Sequence, residues 1–237
     1  SPKAASAARS LMVFAVLCHA SHILHYAFSQ HVCPVRSINL GVSTGAIVAT
    51  LVYVAIRKTF KIQGFGIIVA PIALCFLLAG RFVVVKELPP ELTSRALPLH
   101  IAANSVGVVL FMLSSGAAAL YVLQQHLLKV KRGLSTLARL PALSSLDRAS
   151  HGFLLFGYPF MTIGMVTGTL WISKLSAGVP AEYIRILIGY VSWSVFSAVL
   201  ILRILGWHGR RAALGTLAGF LLATTVVVLY MTNPGAR

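Results

Sequence analysis

Residues 17–34, LCHASHILHYAFSQHVCP, set four histidines, His19, His22, His25 and His31, in an otherwise mostly apolar stretch. The first three recur at i, i+3 and i+6 along what reads as a hydrophobic helix. Imidazole offers one nitrogen that can bind a metal and another that can donate a hydrogen bond. Keeping such a ring in hydrocarbon costs free energy, so a histidine inside a membrane helix is a functional hypothesis by default. The chemistry that suits it is axial ligation of haem b, an apolar ring whose iron takes nitrogen ligands from facing helices. Each ligand's second ring nitrogen then needs an acceptor. The plainer reading places these histidines at a helix interface or near the water boundary.

The other residues capable of chemistry are few. His100 follows Pro98 and Leu99 and opens the fourth helix at its outer end, while His126, His151 and His208 fall at the inner surface, where a structural role is expected. Cys18, Cys33 and Cys75 form no CxxC or CxxCH, which excludes a c-type cytochrome and an evident thiol oxidoreductase. Cys18 and Cys75 read as packing residues within helices, and Cys33 lies in an outer loop. There is no HExxH, no Ser/His/Asp cluster and no Gly-rich phosphate loop, so the chain is not expected to be an enzyme. The four acidic residues, Glu87, Glu91, Asp147 and Glu182, all fall at or near helix ends. That leaves no embedded carboxylate for an ion-coupled transporter.

The elements that must position these residues follow from composition. The 237-residue chain is 58% hydrophobic and 10% charged, with a mean hydropathy of +0.88; soluble domains carry roughly 25% charged residues. Seven apolar stretches, at about 10–28, 38–56, 64–85, 97–128, 149–173, 184–205 and 211–232, are long enough to cross the bilayer. The first is too polar and too long for a cleaved signal peptide. The expected fold is all-α: one integral-membrane domain over residues 1–237, a bundle of about seven transmembrane helices.

The net charge of +16 is orienting rather than nucleic-acid binding. With the N-terminus inside, 13 of the 20 Lys and Arg residues fall in inner segments, including Arg57, Lys58, Lys129, Lys131, Arg203, Arg210 and Arg211. The split follows the positive-inside rule and predicts N-in, C-out topology, with the lipid bilayer rather than nucleic acid as partner. Two connections are longer: the outer loop 86–96 and a basic inner linker, 129–148, that reads as lying at the membrane surface. Trp171 reads as an interfacial anchor and Trp193 as packing. GWHGRRAA at 206–213 reads as a tight basic turn between the last two helices.

Four stretches together resemble the cytochrome c assembly superfamily, which includes CcsA/ResC-type haem handlers and HemX-like proteins. HASHILHYAFSQHVCPVRSIN is similar to that family's first-helix histidine and outer loop, and PLHIAANSVGVVLFML to its outer histidine opening a helix. LDRASHGFLLFGYPFMTIGMVTGTLW looks like its Gly-rich helix, and GWHGRRAALGTLAGF like its GWRGRRAA turn. The resemblance implies that His19 occupies a membrane haem-ligand position and His100 an outer one. Their family partners are replaced: Leu200 stands where a second membrane histidine would lie, and MTNPGAR where a second outer one would follow. The haem-presenting segment, roughly WGxYWxWDPKE, is here ISKLSAGVPAEYIR. These departures favour the HemX-like branch over a haem–apocytochrome ligase.

His22 and His25 are additional to the family pattern. His25 lies about 9 Å further out than His19 at 1.5 Å per residue, a depth that suits pairing with His100. The haem could therefore sit at His19, between His25 and His100, or at neither. The expected function is haem handling or cytochrome c assembly by binding or scaffolding, in a bacterial inner membrane with partner maturation proteins. The alternative is a structural subunit of a larger respiratory or photosynthetic complex.

Overall fold

The computed structural model describes residues 2–29, 31, 38–82, 96–131, 140–172 and 180–232. Among them the chain is all-helical: α1 (Pro2–Ser29), α2 (Ile38–Ile56), α3 (Gly66–Phe82), α4 (Ala96–Lys129), α5 (Leu143–Ile172), α6 (Pro180–Ile204) and α7 (Arg210–Thr232). A one-turn 3-10 segment, Gln63–Phe65, leads into α3. Five helical stretches are long and apolar enough to cross a membrane: Ser6–Ser29, Gln63–Phe82, Pro98–Lys129, Leu143–Leu170 and Leu187–Ile204; Leu40–Ile56 is a shorter apolar helix. The fold is that of a polytopic helical membrane protein. Cys33, Arg36, the loop bearing Glu87 and Glu91, the middle of the inner linker and residues 173–179 lie outside the described residues, as do the side chains of Trp171 and Glu182.

The centre of the bundle is the antiparallel pair α4–α5, with α2–α3 on one flank and α6–α7 on another; α1 packs chiefly on α2. In lipid no hydrophobic gain drives helices together, so association depends on close packing and interhelical hydrogen bonds. Small residues make that packing possible here. A Cβ on Gly107 would lie 3.0 Å from the Met161 backbone nitrogen, so the two backbones meet there. Inward from that point Ala117 and Ala118 are fully buried, and the Ser114 hydroxyl donates to the Ser150 carbonyl at 2.8 Å. The apolar core beside them joins Phe65, Val69, Val109, Leu113, Leu146 and Phe153.

Two expectations are corrected. α5 begins at Leu143, so residues 143–148 belong to the helix and not to a surface linker. Ser145, Leu146, Ala149, Ser150 and Phe153 form one buried stripe against α4, and its polar members hid the start of the helix from a hydropathy reading. Cys18 and Cys75 are exposed rather than packed. Each belongs to a helix that presents only one face to the bundle: α1 buries Ile23, and α3 buries Val69 and Ile72.

The α6–α7 turn is built by its glycines. Gly206 (φ 97°) and Gly209 (φ 66°) both adopt left-handed backbone that favours glycine. The Gly206 and Trp207 amides donate back to the Arg203 and Leu202 carbonyls, closing the end of α6.

Candidate functional site

Pro98 lies in the first turn of α4, where a missing amide costs nothing. His100 follows two residues later and turns toward α5. The ring is half-buried over Gly168, where a Cβ would sit 2.7 Å from its Cε1, with Gly164 one turn further in along α5. His100 Nδ1 is 2.9 Å from the Gly164 carbonyl oxygen. A carbonyl can only accept, so Nδ1 carries the proton and Nε2 the lone pair. Nε2 in turn receives the Asn104 side-chain amide at 3.0 Å. The Thr167 hydroxyl, 3.3 Å from Nδ1, donates to the Ile163 carbonyl at 2.7 Å.

An imidazole that gives Nδ1–H to a backbone carbonyl and keeps Nε2 for another partner has the arrangement of a metal-ligating histidine. His100 therefore fits an axial ligand of haem. For Nε2 to take a metal, the Asn104 amide that now donates to it would have to swing aside.

His19 is half-buried on the face of α1 that packs on α2, with Nε2 2.7 Å from Ser43 Oγ. α2 ties this contact to α4. A Cβ on Gly41 would overlap the Ile101 side chain, and the Gly41 carbonyl accepts from Ser105 Oγ at 3.1 Å. His19 is thus about level with Ser105, and His100 lies about five residues, roughly 7 Å, further out. His25, about 9 Å outward of His19, reaches nearly the same depth as His100.

Depth matches, but facing does not. His25 and His22 are exposed, whereas His100 is turned into α5; His31 is exposed as well. No hydrogen bond joins any two of His19, His25 and His100 among the described residues. Nor do any three His, Cys, Asp or Glu side chains there form a group able to hold a metal ion. Leu200, at the family's second membrane-histidine position, packs on the cluster of Phe111, Leu154, Phe196 and Val199.

Sequence reasoning missed an ion pair at the inner end. Arg203 Nη1 donates to Asp147 Oδ1 at 3.1 Å, with side chains only 3% and 16% exposed. The Gly209 amide donates to the same oxygen at 3.3 Å. Arg203 was expected among the charges that merely orient the chain, and Asp147 near a helix end. The available signal was a lone arginine in the apolar run SAVLILRILG. His151 likewise is not a surface residue: it is half-buried, and its Nδ1 is buried. His126 and His208 are exposed. Trp193 packs on Tyr158 with ring centroids 5.7 Å apart and donates from Nε1 to Thr162 Oγ1 at 3.0 Å.

Comparison with known proteins places this architecture. The cytochrome c assembly protein family matches residues 8–231. The cytochrome c biogenesis protein CcsA of Chlamydomonas reinhardtii is 26% identical over 164 residues, covering 66% of this chain and 45% of the relative. CcsA of Prochlorococcus marinus subsp. pastoris is 24% identical over 208 residues, covering 77% and 65%. CcsA of Synechococcus elongatus is 31% identical over 108 residues, covering 45% and 32%. The chain spans about half the length of the curated relatives it matches. No solved structure matches. A family match over nearly the whole chain, on an all-helical multi-pass membrane bundle, makes this chain a member of the cytochrome c assembly protein family.

Proposed function

We propose that the chain is a HemX/CcsA-like haem-handling protein of cytochrome c assembly, acting by binding or scaffolding rather than catalysis. The observation that carries this reading is His100: its Nδ1 proton is committed to the Gly164 carbonyl, and its ring is seated over Gly168. Haem b is the cargo, His100 is one axial ligand, and His19 and His25 are the candidates for the other. His25 has the depth for this role, although its exposed face of α1 would have to turn toward α5, and His19 has the family position. Haem supplies an iron that takes two imidazoles; the chain supplies their orientation and a dry seam between helices.

The HemX-like branch is favoured because residues 172–185, ISKLSAGVPAEYIR, lack the tryptophan-rich haem-presenting sequence. A bacterial inner membrane and partner membrane proteins of cytochrome maturation complete the reading. A structural subunit of a larger respiratory or photosynthetic complex draws instead on α1, whose His22, His25 and Cys18 are exposed. Pyridine haemochrome analysis of gently purified protein decides between them. Bound haem b with a low-spin reduced spectrum supports haem handling. Stoichiometric partner proteins without a Soret band support the structural subunit.

A further inference from the structure

α1 carries a polar stripe on the side that points away from the bundle. Ile23 is buried and His19 meets Ser43, so that side of the helix packs on α2. His25 lies about 200° round the helix from Ile23, at about 100° per residue. Between residues 18 and 29, Cys18, Ser21, His22, His25 and Ser29 fill an arc of about 100° on the side away from Ile23, and no apolar residue falls in it. All five are exposed. Nearer the N-terminus the same arc holds Leu11 and Phe14, which are exposed as well. Imidazoles turned toward hydrocarbon are costly, so the outer half of this stripe calls for a polar partner and the inner half for an apolar one.

α5 has an uncovered side of the same pattern. α4 covers one side of α5, at Gly157, Gly164 and Gly168. α6 covers a second, where Thr162 meets Trp193 and Thr169 meets Tyr190. Phe156, Phe160, Ile163 and Thr167 follow one another at i, i+4, i+7 and i+11, on a third side. The three apolar members are exposed, and Thr167 ends the stripe with its hydroxyl 3.3 Å from His100 Nδ1. α1 and α5 both run from the inner to the outer end. Phe14 to His25 and Phe156 to Thr167 span the same number of residues, about 16 Å of rise in each helix.

Within one chain the two stripes do not meet, because α1 packs chiefly on α2. Turning His25 toward α5 would break the Ser43 contact and expose Ile23. Two copies in one membrane share one orientation, so His25 of one lies at the depth of His100 of the other. We propose that the outward stripe of α1 docks on the Phe156–Thr167 stripe of a second copy and completes the His100 site with His25 from another chain. The proposal rests on the haem-handling reading above, with His25 and His100 as the axial pair. It supplies the facing that a single chain lacks and leaves α1 seated on α2. In this register Cys18 lies level with Phe160, and Phe14 with Phe156.

Two measurements test the arrangement. In the first, His25→Ala and His100→Ala full-length chains carry different tags and are co-expressed in equal amounts. Each variant alone should lose the low-spin bis-imidazole spectrum. Together, about one neighbouring pair in four sets an intact His25 against an intact His100, so about a quarter of the wild-type signal should return. No recovery, with the wild-type spectrum intact, overturns the shared site and leaves the haem reading standing. A wild type without that spectrum overturns the haem reading, and the shared iron site with it.

The second measurement does not depend on haem. In a Cys33→Ser/Cys75→Ser background, Phe160→Cys leaves thiols at positions 18 and 160 only. Oxidation of native membranes with copper phenanthroline should join them between chains and give a disulfide-linked dimer, which Cys18→Ser removes. A dimer that forms equally with Phe160 intact joins two α1 helices, and a chain that stays monomeric makes no such contact. Either result overturns the docking.

Discussion

At the scale of single residues, His100 is defined by what lies opposite it. A histidine after a proline at a helix start is visible in the sequence, and so is the glycine-rich helix 143–172. That Gly164 and Gly168 form the seat of this ring is not visible, because the pairing joins residues 64 and 68 positions apart. Asn104, which holds Nε2, was not singled out for the same reason. Gly168→Ala places a methyl 2.7 Å from the ring carbon and must displace it. We expect haem affinity, followed by Soret titration, to fall about tenfold or more while helicity is kept. The ligand pair is tested by alanine variants. His25→Ala and His100→Ala should each lose the low-spin bis-imidazole spectrum, and His22→Ala should keep it. If His19→Ala loses it while His25→Ala does not, the second ligand is His19 and the depth argument for His25 is wrong.

At the scale of elements, helix positions were legible and helix partners were not. Charged and turn-forming residues punctuate the apolar runs, so α2, α4 and α7 lie within a residue or two of the expected spans. Packing order is harder, since a leucine facing lipid and one facing another helix are chemically alike. The buried stripe of α5 was hidden by its serines and by Asp147, which read as loop until Arg203 supplies a partner across the seam. That pair makes a stability prediction. Arg203→Leu leaves a largely buried Asp147 without its cation and should destabilise the bundle by on the order of 3 kcal/mol in a reversible unfolding assay. Asp147→Asn should cost less, because the amide oxygen can still accept from Arg203 and from Gly209. The double variant Arg203→Leu/Asp147→Leu should recover part of the loss, since two apolar side chains replace an ion pair that is costly to desolvate. If the double variant is no better than Arg203→Leu, the interaction that matters is Asp147 with the α6–α7 turn and not the ion pair.

For the whole molecule, the basic excess and the helix order give one consistent orientation. The turn 57–61, the start of α5 and the turn 205–209 share one end of the bundle: Phe60 lies against Gly152, and Gly209 meets both Asp147 and the Tyr121 hydroxyl. That end carries Arg57, Lys58, Lys61, Arg148, Arg203, Arg210 and Arg211. The opposite end carries His100 and the starts of α2 and α4. Lysine and arginine near helix ends tend to be retained on the cytoplasmic side, so the positive-inside rule predicts that the dense end is inside and that His100 faces outward. Reporter fusions at residues 60, 140 and 209 should therefore give cytoplasmic signals, and fusions at 33, 91 and 178 outside signals. The fusion at 91 is the sharpest, because it sits a few residues before α4. A cytoplasmic signal there would invert the bundle, move His100 to the inner leaflet and carry the Arg203–Asp147 pair to the outer one. An outside signal at 91 with a cytoplasmic one at 209 places His100 and Arg203 on opposite sides of the membrane, as the distribution of basic residues requires.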